Sequence, residues 1–425
     1  MASFLQLAHR NWQIAHPPQP AKTSNALRVG LLGASNIAPL AIIIPAKSHP
    51  EIIIAAVAAR DAQKAQAYAT KHGIPIVHMS YQELIDDSSI DIIYNPLPNG
   101  LHFEWALKAL QAGKHVLLEK PSTSNAAEAT RLFRHPILHK PNAPVLLEAF
   151  HSRFHPAWQT FMSLVDRPNI TSVYCMATLF AGWLPNDDIR FKYDLSGGSL
   201  MDFGTYGILC MRDIMGTEPV ECIEAVPRLM PEGFDQDCDS AFRGKFKFPN
   251  GALGEVDCDL MAKGRWPFPY LTSRLPYICL PRAVVTHKEV TISDPGLPQT
   301  QQHVVVKKVT LWNHMSPMLW HRIDIEETHT VREKGSGREV KRWDVTRHEK
   351  VYTWAESSLK KEGSKDAAHW STYRYMLEEF VDRIRARQGK DAVWMQGEES
   401  IKQMKVIDSA YEKAGMKLRP SSTYR

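Results

Sequence analysis

Five short apolar runs, separated by stretches of helical periodicity, set the pattern of the first third of the chain. Leu27 to Leu32, Ile52 to Ala59, Ile90 to Tyr94, Gly113 to Lys120 and Val145 to Phe150 each read as a strand buried on both faces. Between them, Asp61 to His72 predicts an amphipathic helix ended by Gly73, Tyr81 to Asp86 a short helix, and Leu101 to Ala112 another. Strands alternating with helices in this way imply βαβ units and an N-terminal, doubly wound parallel sheet of Rossmann type. After Phe150 the texture changes. His151-Ser152-Arg153-Phe154-His155-Pro156 opens a helix rich in aromatics, and Thr171 to Phe180 reads as a strand. Gly182 to Leu195 is a long loop carrying Trp183, Arg190 and Tyr193.

The last half alternates polar and apolar residues. Ser240 to Phe248, Ala252 to Asp259, Val284 to Ile292, His303 to Leu311, Asp324 to Val331 and Val340 to Val345 predict an antiparallel sheet, with Asn250-Gly251 as a hairpin turn between the first two. Trp370 to Arg387 and Gln396 to Gly415 predict two amphipathic helices. The expected organisation is an extended arm over 1–25, stiffened by Pro17, Pro18 and Pro20, then a nucleotide-binding domain over 26–150. A C-terminal α/β domain with a large open, mainly antiparallel sheet fills 151–425.

Chemistry concentrates at the carboxyl ends of the first strands, where ligands sit in open α/β sheets. Gly33-Ala34-Ser35-Asn36-Ile37-Ala38 is a dinucleotide fingerprint whose second glycine is replaced by Ser35. Backbone N–H groups at the following helix start can face a pyrophosphate. The second strand ends in Ala59-Arg60-Asp61. Arg60 stands about where an NAD enzyme carries an acidic residue, and a guanidinium there favours the 2′-phosphate of NADP over NAD. Asp61 reads as a helix cap. The loop Asn95-Pro96-Leu97-Pro98-Asn99-Gly100 and Lys120 share the same crevice. Asn99 and His102 are candidates to touch a nicotinamide ribose or a substrate, or else to start a helix.

Lys120 precedes Pro121, which holds it extended at its strand's end. A lysine shielded there can serve in acid/base work, or can simply close the strand and point to solvent. A second stretch tips the balance. In Gly197-Gly198-Ser199-Leu200-Met201-Asp202-Phe203-Gly204-Thr205-Tyr206-Gly207, Ser199 can cap a helix running to Gly216, and Asp202 and Tyr206 share one face of it. Gly204 costs such a helix about 1 kcal/mol, which suggests the close approach of something such as a flat ring. Lysine, carboxylate and phenol together suit hydride transfer at an alcohol carbon, where the hydroxyl proton must leave with the hydride. Tyr206 could hold that proton, its pKa lowered by the Lys120 ammonium. Asp202 would orient the lysine or the substrate.

Composition narrows the classes. A chain of 425 residues is too long for one ordinary core, and 44% hydrophobic with 23% charged residues describes a globular protein. The balance of 51 basic to 46 acidic residues, a formal +5, is too weak to argue for nucleic acid. Arg383, Arg385 and Arg387 read as the solvated side of a helix. Six cysteines stand at 175, 210, 222, 238, 258 and 279 without a CxxC pair, which suits a reducing compartment. His9, Arg10, Asn11 and Gln13 interrupt any secretory signal, and Ala41 to Arg60 is too broken to span a bilayer, so a cytoplasmic protein is expected. Asp235-Gln236-Asp237-Cys238-Asp239 imitates the start of a calcium loop but lacks its glycine and late glutamate, so no metal is expected.

The glycine loop, Glu119-Lys120-Pro121, Arg153-Phe154-His155-Pro156, and Gly197-Gly198 with Asp202 and Tyr206 together resemble the glucose–fructose oxidoreductase/inositol dehydrogenase/MocA family. Within it the chain is most similar to fungal-type NADP-dependent D-xylose 1-dehydrogenases and dimeric dihydrodiol dehydrogenases, which carry tyrosine where many relatives have histidine. The resemblance implies that Lys120 and Tyr206 act on the substrate hydroxyl and that Glu119 lies near the nicotinamide. Arg153, Trp183 and Arg190 become candidates to face the substrate. It also implies a homo-dimer formed through the C-terminal sheet. The segment from about Gly264 to Ala368 is longer than in compact members. The expected activity is oxidation of a sugar hydroxyl, C1 of D-xylose or a related aldopyranose, to a lactone by NADP. Oxidation of a dihydrodiol, reduction of a dicarbonyl, and a non-catalytic NADP sensor are the alternatives.

Overall fold

The computed structural model describes residues 2–263, 279–359 and 366–424. Of the long 264–368 segment, 264–278 and 360–365 therefore lie outside the described residues. The N-terminus departs from the extended arm expected for 1–25, because α1 (Ala2–Ala15) is helical. The prolines act only after it, from Pro17 on. Ile14 is buried, and the Arg10 guanidinium lies 3.2 Å from the centre of the Tyr352 ring. That guanidinium also donates to the carbonyls of Met318 and Leu319. A docking face of this kind, spread over one helical stripe, is not visible in a short polar sequence.

The apolar runs form the parallel sheet that their continuity predicts. β1 (Leu27–Leu32), β2 (Ile52–Ala58), β3 (Ile76–His78), β4 (Ile92–Asn95), β5 (His115–Leu118) and β6 (Leu146–Glu148) stand in the order β3-β2-β1-β4-β5-β6. The order reverses between β2-β1 and β4, so a crevice opens at the carboxyl ends of β1 and β4. Helices α2 (Ile44–Ser48), α3 (Ala62–His72), α4 (Tyr81–Asp86), α5 (His102–Gln111) and α6 (Ala126–Phe133) cover the faces. Asp61 caps α3 by accepting from Gln63 N and Lys64 N, and Gly73 ends it in the left-handed conformation.

After α7 (Pro156–Ser163) comes the second sheet. β7 (Ile170–Phe180) is followed by α8 (Thr205–Met215), β8 (Glu221–Leu229), β9 (Asp239–Lys247) and β10 (Leu253–Ala262). Then come β11 (Arg282–His287), β12 (Val290–Ile292), β13 (Gln301–Trp312), β14 (Arg322–Glu333) and β15 (Glu339–Glu349). The strand order is β15-β14-β13-β11-β7-β10-β9-β8, with β12 beside β13. Among the described strands of this sheet only the β7–β10 pair is parallel. The run read as one strand from Val284 to Ile292 breaks where Lys288 N donates to Asn169 O and turns the chain. β8 lacks a legible alternation and holds Pro227, which an edge strand tolerates.

Helix α8 packs on β7 and β10 of the second sheet. A Cβ at Gly204 would stand 2.7 Å from Leu200 Cδ1 and 3.0 Å from Cys258 Sγ, and one at Gly207 2.7 Å from Val256 Cγ1. The close approach at Gly204 is thus to β10 of the second sheet, not to a flat ring as the sequence suggested. The helix Thr372–Ile384, grouped by sequence with the second sheet, packs on the first: Tyr373, Met376, Leu377 and Phe380 share a core with Val29, Leu31, Ile92 and Leu117. No helix among the described residues is long and apolar enough to cross a membrane.

The last residues of the chain close the structure. Arg419 is fully buried; its Nε donates to Gly197 O at 2.6 Å and its Nη2 to Asp239 Oδ1 at 2.7 Å. Tyr411 donates to the same carboxylate oxygen at 2.8 Å. Asp239 Oδ2 accepts from Leu200 N at 2.7 Å, so Asp239, and not Ser199, caps the π-helical turn Leu200–Gly204 that leads into α8. Breaking a buried pair from one side leaves an uncompensated charge, at a cost of about 3–5 kcal/mol. Arg419→Ala should therefore lower the urea midpoint by that equivalent, whereas an unchanged midpoint would show that the pair carries no stability.

Candidate active site

The loop after β1 has the shape an anion needs. Gly33 has a φ of +89°, and a Cβ there would come within 3.2 Å of Leu97 Cδ2. Ser35 Oγ accepts from Ile37 N at 3.3 Å, while Ser35 O accepts from the Tyr68 hydroxyl. Ala34 and Asn36 complete the turn, and Pro39 opens the helical segment that continues into α2. Arg60 is exposed at the end of β2, and its charge works to lower the Tyr81 hydroxyl against burial, which raises it. Backbone N–H groups at a helix start with a guanidinium alongside fit the pyrophosphate and 2′-phosphate of a dinucleotide.

On the other side of the crevice, β5 delivers Lys120 and the turn Leu200–Gly204 delivers Asp202. Lys120 Nζ donates to Asp202 Oδ1 at 2.6 Å and lies 4.8 Å from the centre of the Tyr206 ring. Arg190 Nε donates to Asp202 Oδ2 at 2.7 Å and is itself anchored by Asp188. Burial works to raise the Asp202 carboxyl, but Arg190 and Lys120 outweigh it and hold the group well below the usual carboxylate range. The structure thus brings together an amine from one part of the chain with a carboxylate and a phenol from another, some 80 residues later.

Tyr206 departs from the expected electrostatics. Burial pushes its hydroxyl well above its ordinary value, with Tyr373, Glu119 and Asp202 adding to the rise. The proximity of Lys120 does not make it a readily ionised phenol. Its hydroxyl instead meets His151 Nε2 at 3.0 Å. His151 Nδ1 meets Thr372 Oγ1 at 2.7 Å, and its ring stacks on Tyr373 with centroids 3.8 Å apart. Burial, helped by Lys120, lowers the His151 ring to about 3, so it is neutral. The apolar pattern gives His151 only one signal, its place just past the carboxyl end of β6. Thr372 and Tyr373 have none.

Other candidates are placed elsewhere. Arg153 pairs through Nε with Asp213 at 3.3 Å and through Nη2 with Glu399 at 2.8 Å, which tie α7's approach to α8 and to the helix Gly397–Lys413, while its buried Nη1 has no partner among the described residues. Trp183 is exposed and meets the Phe180 ring edge-on, with centroids 5.2 Å apart. His102 has both ring nitrogens against carbonyls, Pro121 O at 2.8 Å and Leu97 O at 2.7 Å, and burial lowers it to about 4. It braces the Pro96–Leu97 loop against the end of β5 and has no nitrogen left for a ribose. Asn99 donates to Ser196 O at 3.0 Å and joins the two halves of the crevice. Glu119 is buried and accepts from the Tyr94 hydroxyl at 2.8 Å, with its carboxyl raised by burial.

Comparison with known proteins shows the family and the fold. A family model described as an oxidoreductase family with an NAD-binding Rossmann fold, GFO/IDH/MocA, matches residues 27–137, and the GFO/IDH/MocA C-terminal domain matches 158–275. The chain is 36% identical over 230 residues to a D-xylose 1-dehydrogenase (NADP(+)) from Haloferax volcanii, covering 54% of this chain and 68% of that one. It is 36% identical over 200 residues to a dTDP-3,4-didehydro-2,6-dideoxy-alpha-D-glucose 3-reductase from Streptomyces violaceoruber, covering 46% of this chain and 57% of the reductase. Among solved structures, a 3-ketoreductase mutant from Actinomadura kijaniata in complex with TDP-benzene and NADP superposes with a TM-score of 0.65 at 19% identity. That match covers 92% of this chain and 98% of the ketoreductase, a likeness of fold.

The depressed carboxyl of Asp202 has a pH signature. Because its folded value lies below the ordinary one, its stabilisation is complete above about pH 4 and is lost as pH falls. The stability difference between the natural protein and Asp202→Asn, from urea unfolding, should be level from pH 7 to about 5 and shrink below about 4. A difference that grows on acidification would contradict the double ion pair.

Proposed function

Because the chain belongs to the glucose–fructose oxidoreductase/inositol dehydrogenase/MocA family of oxidoreductases, we propose that it moves a hydride between NADP and a hydroxyl-bearing carbon of a small sugar. The reaction we assign is oxidation of C1 of D-xylose or a related aldopyranose to the lactone. The observation that carries this reading is the convergence of Lys120, Asp202 and Tyr206 beside the crevice at the ends of β1 and β4. Similarity to a D-xylose 1-dehydrogenase supports the substrate class.

NADP, when bound, supplies the acceptor for the hydride. The loop Gly33 to Ile37 would hold its pyrophosphate, and Arg60 its 2′-phosphate. Lys120 holds the substrate oxygen, and Tyr206, entering the oxidation as the phenolate, takes the hydroxyl proton as the carbon is oxidised; in the reverse direction the phenol returns it to the carbonyl oxygen. Asp202, fixed by Arg190, keeps the Lys120 ammonium aimed at that oxygen. Two copies of the chain would meet through the open face of the second sheet.

The test is nicotinamide absorbance with NADP and a panel of aldoses, with a dihydrodiol and a dicarbonyl as further arms. Turnover is expected on an aldopyranose; turnover confined to the last two would move the assignment to them. Lys120→Met should lower kcat at least about 100-fold while NADP still binds, and full activity in that variant would remove lysine from the chemistry. Arg60→Ala should weaken NADP far more than NAD, since a bidentate contact to phosphate is lost, and an equal loss for both would refute the 2′-phosphate role.

A further inference from the structure

The Tyr206 hydroxyl has one proton, and its direction decides whether the phenol can serve a substrate oxygen. The buried row Thr372–His151–Tyr206 carries two hydrogen bonds whose polarity is set by one imidazole tautomer. The two distances differ in the way the two donor types differ. Thr372 Oγ1 to His151 Nδ1 is 2.7 Å, the length of a hydroxyl donor, whereas His151 Nε2 to Tyr206 Oη is 3.0 Å, that of an N–H donor. Among the described residues Thr372 has one competing acceptor, the Met318 sulfur at 3.5 Å. A thioether is a weak acceptor beside an imidazole nitrogen, so the hydroxyl proton goes to Nδ1. The ring then carries its proton on Nε2.

We infer that His151 is a positioning residue which, as the Nε2–H tautomer locked by Thr372, donates to Tyr206 Oη and leaves the phenol's own proton free to face the cleft beside Lys120. The inference rests on the oxidoreductase reading and deepens it. No other hydrogen-bond partner of the Tyr206 hydroxyl is found among the described residues. In reduction the phenol gives this proton to the carbonyl oxygen, and the N–H from His151 stabilises the phenolate left behind. In oxidation the same oxygen receives the proton back. The stacked Tyr373 ring and the T-shaped contact of His151 with Tyr206 hold the imidazole in this plane. The opposite tautomer would turn the phenol's proton onto Nε2 and leave no donor for the substrate.

Imidazole nitrogen spectra of the ¹⁵N-histidine-labelled protein test this without turnover, the His151 signals being identified by their loss in His151→Gln. The expected pattern is a neutral ring protonated at Nε2, with Tyr206→Phe moving chiefly the Nε2 signal and Thr372→Val the Nδ1 signal. A proton on Nδ1 in the natural protein overturns the inference. Where turnover is measured, His151→Phe should lower kcat about tenfold, the equivalent of one hydrogen bond, with the KM for NADP unchanged. His151→Gln, which can present an N–H at the same place, should recover most of it. In the Tyr206→Phe background, His151→Phe should cost less than about twofold, because its effect runs through the phenol. An equal cost in both backgrounds also overturns the inference. Absence of turnover on every substrate counts against the oxidoreductase reading alone, and the spectra still decide the tautomer.

Discussion

Everything at the centre of this molecule is arranged around the carboxylate of Asp202. A charged group so far from water is tolerated only with partners at close range, and here each oxygen has its own cation, Lys120 on one and Arg190 on the other. Those three residues come from the carboxyl end of β5, the loop after β7 and the turn before α8. The ion pairs are therefore also the joint by which the two sheets share a site. Asn99 donating to Ser196 O and Asn125 donating to Arg419 O strengthen the same joint from either side.

Placing a carboxylate this closely requires the turn beneath it to be rigid. That turn is capped by Asp239, held in turn by the buried Arg419 and Tyr411, so the end of the chain helps to aim the Lys120 partner. Gly198 has a φ of +130° where a side chain would collide with Asp239, Arg419 and Tyr411. Gly204 and Gly207 then let α8 settle onto β10. The glycine cost at Gly204 is a packing requirement of the second sheet, and the catalytic geometry inherits its precision from that contact.

This division explains what could be read along the chain. Buried parallel strands announce themselves as unbroken apolar runs, and chemistry at their carboxyl ends follows from topology, so Gly33, Arg60 and Lys120 were legible. Asp202 and Tyr206 were legible because helical spacing puts residues four apart on one face. His151 offered only its position after β6, and Thr372 offered nothing, since its helix packs back on a sheet more than 200 residues earlier in the chain. Arg153 and His102 were placed by neighbours that their residue types did not announce: the carboxylates of Asp213 and Glu399 for the guanidinium, and the carbonyls of Leu97 and Pro121 for the imidazole. α1 was hidden because its docking partners, Tyr352 and the Met318–Leu319 carbonyls, lie more than 300 residues later in the chain.

The acidity of Tyr206 turns on the same carboxylate. An isolated ammonium 4.8 Å from a phenol ring would favour the phenolate strongly in a site of low dielectric. Lys120 is not isolated, because Asp202 sits 2.6 Å from its nitrogen and returns most of that field. What reaches Tyr206 is close to a dipole, and burial together with Tyr373, Glu119 and Asp202 wins, raising the hydroxyl. The phenol therefore rests protonated, and its readiness to exchange that proton must come from hydrogen bonds directed at its oxygen. Among the described residues His151 is the group placed to make one, which ties the chemistry of the crevice to the helix Thr372–Ile384 behind it.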